Sequence, residues 1–364
     1  MGRRCPQRGI VVRAKIVGAG SIGNHLAHAL RSHGVAVDLV DADPAALERA
    51  RDDLYPTRYG AWDPAIGLHL PADAPRGGYD LIVIGTPPDS HLALADAAIE
   101  EGCEALLVEK PLATPDLEGL DAFIARAASS GTRVFVGYTH GVADATAAFI
   151  DRIASGAIGE VLTIDTETRE HWGGILRAHP WLSGPEASYL GSWRRGGGAL
   201  GEHSHGLHLW QQLARAFGAG EVGRVAATMD LRSVGDVEHD RIALLDLTTT
   251  SGLVGRCVQD VVTAPPAKGA RVTGTEGVME LRFEREQDRD VIVTSRAGAA
   301  PVVDEFPTVR TDDFGREIAH LLRALASGEP SPLDLAHGVA TMQVIAAAFA
   351  SARTSSTVEV THEG

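Results

Sequence analysis

The chain has 364 residues, long for a single core, so two domains are expected. Its 44% hydrophobic and 22% charged residues suit a soluble globular protein, and a formal charge of −15 argues against nucleic acid or an anionic membrane as partner. No run approaches the ~20 apolar residues of a membrane span. Arg3-Arg4 lacks the apolar stretch an export signal needs, and Cys5, Cys103 and Cys257 are far apart with no C-x-x-C pair, so a cytoplasmic protein with reduced thiols is expected.

From residue 10 to about 138, short apolar runs alternate with amphipathic stretches. The runs Ala14–Val17, Ala36–Val40, Leu81–Ile84, Ala105–Val108 and Val134–Val136 are continuous, as strands buried on both faces are. Ser90–Glu101 and Pro115–Ser129 read as helices, the second opened by Thr114 as N-cap and stopped by Gly131. This predicts a doubly wound α/β domain on a parallel sheet.

The first strand runs into Gly18-Ala19-Gly20-Ser21-Ile22-Gly23, and a helix pattern follows with Leu26 and Leu30 four apart. In a G-x-G-x-x-G turn between strand and helix, Gly18 permits the tight turn and Gly20 the close approach of a pyrophosphate. Gly23 allows close helix–strand packing, and the helix start at Ser21 and Ile22 presents unpaired N–H groups. Asp41, 18 residues after Gly23, ends the second strand where ribose hydroxyls would lie, with no basic residue beside it. That favours NAD over NADP; the alternative is that Asp41 only caps the helix beginning near Pro44. Two further segments follow strand ends, Gly85-Thr86-Pro87-Pro88-Asp89-Ser90-His91 and Glu109-Lys110-Pro111. Thr86, Pro87, His91, Glu109 and Lys110 are therefore candidates for the cofactor crevice, with Lys110 held extended by the proline after it.

After about residue 140 the pattern changes. A helix at Ala143–Ala154 leads to strands near Val161–Arg169, Val222–Leu231, Arg241–Thr248 and Leu253–Val261, the first two separated by a long segment, about 170–218, of loop and helix character; successive strands of this kind predict a mostly antiparallel sheet and an α+β domain. Two apolar helices, around Phe314–Leu325 and Leu335–Ser351, close the chain. The boundary is set at 138/139, with the closing helices packing back on the first domain.

Segment 169–210 holds four of the five tryptophans, Trp172, Trp181, Trp193 and Trp210, and five of the fifteen histidines. Aromatic faces and imidazoles suit a polyhydroxylated ring, although any one Trp can simply staple a loop to the core. Within it, Gly196-Gly197-Gly198 reads as a loop opening a helix on which Glu202, His205 and Leu209 share a face, His208 lies beside them and His203 points elsewhere. A carboxylate one turn from an imidazole can set its tautomer. Because His203 diverges from His205, no metal site is expected.

The ordered set (glycine turn, T-P-P-x-x-H, E-K-P, then a G-G-G loop leading to an acid and His) resembles the Gfo/Idh/MocA oxidoreductases, the glucose-fructose oxidoreductase and inositol dehydrogenase family, over about residues 12–350. The resemblance implies a Rossmann domain binding NAD, with NADP possible, plus an α+β domain with a large, mostly antiparallel open sheet whose face is often used for oligomerisation. A homodimer or homotetramer is the expected assembly. It implies oxidation or reduction of a secondary alcohol or ketone on a sugar, sugar derivative or cyclitol, with no nucleic-acid or membrane partner. By position, Lys110 matches the E-K-P lysine beside the reacting oxygen, His205 the acid–base His, and Glu202 the place usually held by Asp. The spacing departs from the commoner D-x-G-x-H, and either His205 or His208 could reach the substrate. His140, Trp172, Trp193 and Arg194 complete the expected substrate contacts. Two other activities fit the same residues: NAD-dependent glycoside cleavage by transient oxidation, and dinucleotide binding without turnover.

Overall fold

The computed structural model describes residues 11–362; Arg3, Arg4 and Cys5 lie outside the described residues. The chain divides into two units. One comprises residues up to Glu109, Gly119–Gly137 and Asp313–Leu335; the other comprises Lys110–Glu118, Tyr138–Asp312 and Ala336 onward.

The first unit holds β1 (Arg13–Val17), β2 (Ala36–Val40), β3 (Ile66–His69), β4 (Leu81–Ile84), β5 (Ala105–Glu109) and β6 (Arg133–Gly137). They form one sheet in the order β3-β2-β1-β4-β5-β6, every pairing parallel. β4 and β5 are buried at every residue, which explains the unbroken apolar runs Leu81–Ile84 and Ala105–Val108. The order reverses between β1 and β4, and open α/β sheets bind ligands outside the carboxyl ends of the strands at that point. β3 was not expected from the sequence. Its Ile66-Gly67-Leu68-His69 is short and broken by a glycine, where a Cβ would lie 2.4 Å from Asp38 Oδ1, but the His69 ring pairs with that same oxygen through Nε2 at 2.9 Å and ties the edge strand to β2. The helix expected over Pro115–Ser129 spans Leu120–Ser130 instead. Leu117 and Gly119 take left-handed φ values of 61° and 79°, and Thr114 Oγ1 donates to Asp116 Oδ1 rather than capping. Gly131 ends that helix at φ 74°, as expected.

The second unit holds β7 (Val161–Arg169), β8 (Val222–Val234), β9 (Val237–Thr249), β10 (Val254–Asp260), β11 (Ala267–Gly274), β12 (Gly277–Glu284), β13 (Arg289–Arg296), β14 (Val302–Pro307) and β15 (Val358–Glu359). The sheet order is β14-β13-β12-β11-β7-β10-β9-β8-β15, antiparallel except for β7–β10. One face is covered by helices Asp144–Ala154 and His205–Ala216. Trp210 anchors the second of these, fully buried, its Nε1 donating to the Ile164 carbonyl at 2.8 Å. The other face carries ion pairs, Arg256 with Asp165 and Arg271 with Glu280 across strands and Arg282 with Glu280 along β12. The closing helix Leu335–Thr354 is long and apolar enough to cross a membrane by length and composition, which corrects the expectation that no stretch reaches that limit. Met342, Val344, Ile345, Ala348 and Phe349 on it are core residues.

Candidate active site

β1 delivers the chain directly into the glycine turn. Gly18 has φ 111°, and a Cβ there would lie 2.6 Å from the Gly85 carbonyl oxygen. A Cβ on Gly23 would lie 1.9 Å from the Gly18 carbonyl oxygen, so the Ser21–Ser32 helix packs hard against the turn. Gly20 differs: it is the helix N-cap, nothing stands within 4 Å of its Cβ position, and no side chain caps the helix. An uncapped helix start beside open space fits a pyrophosphate.

Asp41 follows β2, and its two oxygens accept the N–H groups of Ala19 at 2.7 Å and Asp43 at 2.9 Å. The next helix is capped by Asp43, which accepts from Ala45 N–H at 3.0 Å. Asp41 is therefore not that helix's cap, and each of its oxygens keeps a lone pair for a ribose hydroxyl. The residues present fit a dinucleotide. The Ser21 hydroxyl is buried against Arg58, whose Nη2 lies 2.7 Å away, so Ser21 contributes through its backbone. Nothing in the motif spacing singles out Arg58.

In the loop after β4, Thr86 Oγ1 pairs with Ser90 Oγ at 2.7 Å, followed in sequence by Pro87 and Pro88. His91 is fully buried and its Nε2 lies 2.7 Å from the Thr86 carbonyl oxygen, so it holds this loop from inside the protein. Glu109 is buried with its carboxylate against Gly137. Glu317 has no hydrogen-bond partner on either carboxyl oxygen. Burial first, and then the charges of Glu109 and Asp313, raise its carboxyl well above the usual range.

The second unit gathers the remaining candidates. Lys110 Nζ donates to the Glu202 carbonyl oxygen at 2.7 Å and to Glu202 Oε2 at 3.1 Å. Burial pushes the Glu202 carboxyl up, but Lys110, His203 and His179 outweigh it and hold it below its ordinary value. The helix expected to carry Glu202 and His205 on one face is two helices, Gly198–Glu202 and His205–Ala216, with His203 and Ser204 between them. This corrects the sequence reading: the break gives Glu202 to Lys110, and the charged and aromatic groups acting on His205 are His140, Lys110, Lys268 and His208. The first of these helices starts from Gly198 at φ 76°, and buried Asp240 accepts the Leu200 N–H at 2.7 Å.

His205 lies edge-on to Tyr138 at 5.7 Å and tilted over His140 at 4.6 Å, with Nδ1 buried and unpartnered. Burial, reinforced by its neighbours, holds its pKa well below 6.5, so the imidazole is neutral at pH 7. His140 stacks on Phe283 at 4.4 Å and is likewise kept neutral by burial and nearby cations. His208 is 1% exposed and lies flat on Tyr138 at 4.2 Å, whereas His205 keeps part of its surface. His203, expected to point away, is buried within the same charged network. Its Nε2 has no partner, and its pKa is pushed down to about 4, chiefly by burial and by Lys268, with Glu202 opposing. Beside it, Lys268 Nζ pairs with Glu170 Oε2 at 2.5 Å. Sequence reasoning missed Glu170 and Lys268 as site residues, because β7 and β11 bring them together from 98 positions apart. Among the described residues no set of three or more His, Cys, Asp or Glu side chains is placed to hold a metal.

The other expected contacts lie in the same unit. Trp172 packs against a cluster of Ile175, Leu190, Ala199 and Val261, its Nε1 buried without a hydrogen-bond partner. Trp193 stacks on Phe349 at 4.4 Å and donates to Glu238 Oε2 at 2.8 Å, while exposed Arg194 covers its ring at 4.2 Å. Both rings pack against core residues.

Residues 12–138 match a family model described as an oxidoreductase family with an NAD-binding Rossmann fold, and residues 147–280 match the GFO/IDH/MocA C-terminal domain. A curated relative, D-xylose 1-dehydrogenase (NADP(+)) 2 of Haloferax volcanii, is 24% identical over 338 residues, covering 89% of this chain and 92% of its own. Among solved structures, levoglucosan dehydrogenase with NADH and L-sorbose aligns at TM-score 0.76 and 20% identity, covering 97% and 99% of the two chains. An oxidoreductase from Agrobacterium radiobacter in complex with NAD+, L-tartaric acid and magnesium aligns at TM-score 0.75 and 18% identity, covering 96% and 99%. At these identities the two structures establish the fold. With both its domains matched, the chain belongs to the Gfo/Idh/MocA oxidoreductase family and is an NAD(P)-dependent dehydrogenase.

Proposed function

We propose that this dehydrogenase interconverts a secondary alcohol and its ketone on a sugar, sugar derivative or cyclitol, using NAD in preference to NADP. The observation that carries the reading is one amine and one neutral imidazole, Lys110 and His205, gathered in one unit within electrostatic reach of each other. When bound, the nicotinamide supplies or accepts the hydride, which leaves the protein one proton to move and one carbon to orient. His205 takes the hydroxyl proton during oxidation and returns it during reduction. Because Nδ1 is buried, Nε2 is the ring nitrogen a substrate hydroxyl meets. Lys110, anchored at two oxygens of Glu202, sets its positive charge against the oxygen that gains negative charge as the proton leaves. Glu202 orients Lys110. Asp41, with no basic residue beside it, supports NAD. The sugar dehydrogenases among the relatives support a carbohydrate substrate.

The test is a screen of aldoses, polyols and cyclitols with NAD and NADP, read at the nicotinamide absorbance band. Reduced cofactor should accumulate with at least one of them. Release of free sugar from a glycoside without net reduced cofactor would replace this reading with transient oxidation, and tight NAD binding without turnover would overturn catalysis.

A further inference from the structure

Glu202 and Lys110 are not the only carboxylate and ammonium held together near His205. Lys268 and Glu170 form a second pair at 2.5 Å, with side chains 19% and 15% exposed, shielded but reachable from solvent. The fold has no evident need of it. Lys268 already lies opposite Thr168 in the β7–β11 ladder, and a shielded ion pair adds little net stability. The redox chemistry, with one proton and one carbon to manage, does not use it either. His203 belongs to the same neighbourhood: a Cβ at Gly206, three residues on, would lie 2.6 Å from the hydroxyl of Thr168, the ladder partner of Lys268, and the His203 carbonyl accepts from buried Gln259. Its side chain is 3% exposed, with Nε2 unpartnered. An orphaned buried nitrogen is costly unless something hydrogen-bonds to it.

We propose that Lys268, Glu170 and His203 form a second subsite, distinct from Lys110 and His205, that binds neighbouring hydroxyls of an uncharged polyol at a distance from its reacting carbon. This rests on the reading of the chain as a sugar or cyclitol oxidoreductase and narrows its substrate class. A hydroxyl both donates and accepts, so a diol can accept from the Lys268 ammonium while donating to Glu170, and the His203 imidazole serves a further hydroxyl. A carboxylate or phosphate cannot donate. It would meet an ammonium already neutralised by Glu170, with a second carboxylate at Glu202. Arg194 takes no part, being 70% exposed and laid on Trp193 towards Glu238, whereas the Arg310 cation does act on Glu170. The preference for vicinal hydroxyls over anions therefore rests on the hydrogen bond that only a hydroxyl can donate to Glu170.

The experiment measures kcat and KM for the wild-type protein, Lys268→Met and Glu170→Gln. The substrates are the best one found in the screen, analogues of it lacking single hydroxyls away from the reacting carbon, and its sugar-acid counterpart. Wild type is expected to disfavour one or two of the deoxy analogues by about ten- to hundredfold in kcat/KM and to use the sugar acid poorly. Both variants should raise KM for the parent substrate by a similar factor, by more than any change in kcat, and lose the discrimination against deoxy analogues. Glu170→Gln should also improve use of the sugar acid. Equal losses on parent and deoxy substrates, a fall in kcat with KM unchanged, or a wild-type preference for the sugar acid would each overturn the subsite. Fluorescence titration of NADH and thermal melting show that the variants are folded, and Glu170→Gln alone decides the matter if Lys268→Met does not fold. If wild type turns over nothing in the panel, the redox reading fails separately, and the subsite is judged by calorimetry with the same polyols. Binding that Lys268→Met weakens at least tenfold supports it, and no binding or unchanged binding overturns it.

Discussion

At the glycine turn, six consecutive residues and a single aspartate shape the site, and the groups that would meet the ligand are main-chain N–H groups at a helix start. Around Lys110 most groups are side chains instead, drawn from positions 138–140, 170, 202–208 and 268, with the Glu202 carbonyl as the main-chain exception. The first kind of site depends on the absence of side chains, at Gly18, Gly20 and Gly23. The second depends on burial and on ion pairing to set which groups are charged. A substitution should therefore act sterically at the turn and electrostatically around Lys110.

The sharpest way to break this contrast is to remove the chemistry without disturbing the cofactor. Lys110→Ala and His205→Ala should each lower turnover by ~10²–10⁴-fold while NADH titrations give unchanged affinity; full activity in both would remove the assignment. At the turn the expected loss is in binding. Gly20→Ala has open space around its new Cβ and should melt like wild type, yet bind NADH roughly tenfold or more weakly, about 1.4 kcal/mol. Gly18→Ala must place a side chain at φ 111° and 2.6 Å from Gly85, so it should lose stability as well, by at least about 1–2 kcal/mol from the backbone alone. Equal behaviour of the two alanines would show that Gly20 faces no ligand. A more modest effect is expected at Asp41→Asn, which should narrow the NAD-over-NADP preference by about tenfold, measured as the ratio of kcat/KM values.

The smallest effects concern pH. His205 is held neutral well below pH 6.5, so kcat/KM for alcohol oxidation should show no acidic fall centred near that value from this group. His203, at about 4 in the folded chain against about 6.5 unfolded, makes the unfolded chain bind the proton first. Its stabilising contribution is then lost as pH falls from about 6.5 towards 4, and His203→Gln should flatten that part of a pH–melting curve. Asp240, raised to about 7 chiefly by burial, works the other way. The folded chain holds its proton longer, so stability falls as pH rises from about 4 to 7, and Asp240→Asn should remove that slope.

The parallel sheet was legible because buried strands must be continuously apolar, as Leu81–Ile84 and Ala105–Val108 are, and because only glycines tolerate the turn after β1. β3 escaped notice since the His69–Asp38 pair that ties it to β2 is not written in its own pattern. Helical periodicity placed Glu202 beside His205, and it misled because nothing in that spacing announces the break at His203 and Ser204. Segment 169–210 is rich in tryptophan for two purposes that composition cannot separate, packing at Trp172 and Trp193 and a polar cluster at His203 and His205.

By itself the sequence determined the local, steric part of this protein: the glycine turn, the acid after the second strand, the strand ends carrying Thr86 and Lys110, and the change from parallel to antiparallel patterning. These follow from backbone sterics and from burial of neighbouring residues, both written in short windows. Only the tertiary structure decided that Glu202 belongs to Lys110, that His203 is buried with Nε2 unpartnered, and that Lys268 meets Glu170. Charge and desolvation act through space, and the residues they couple need share nothing along the chain.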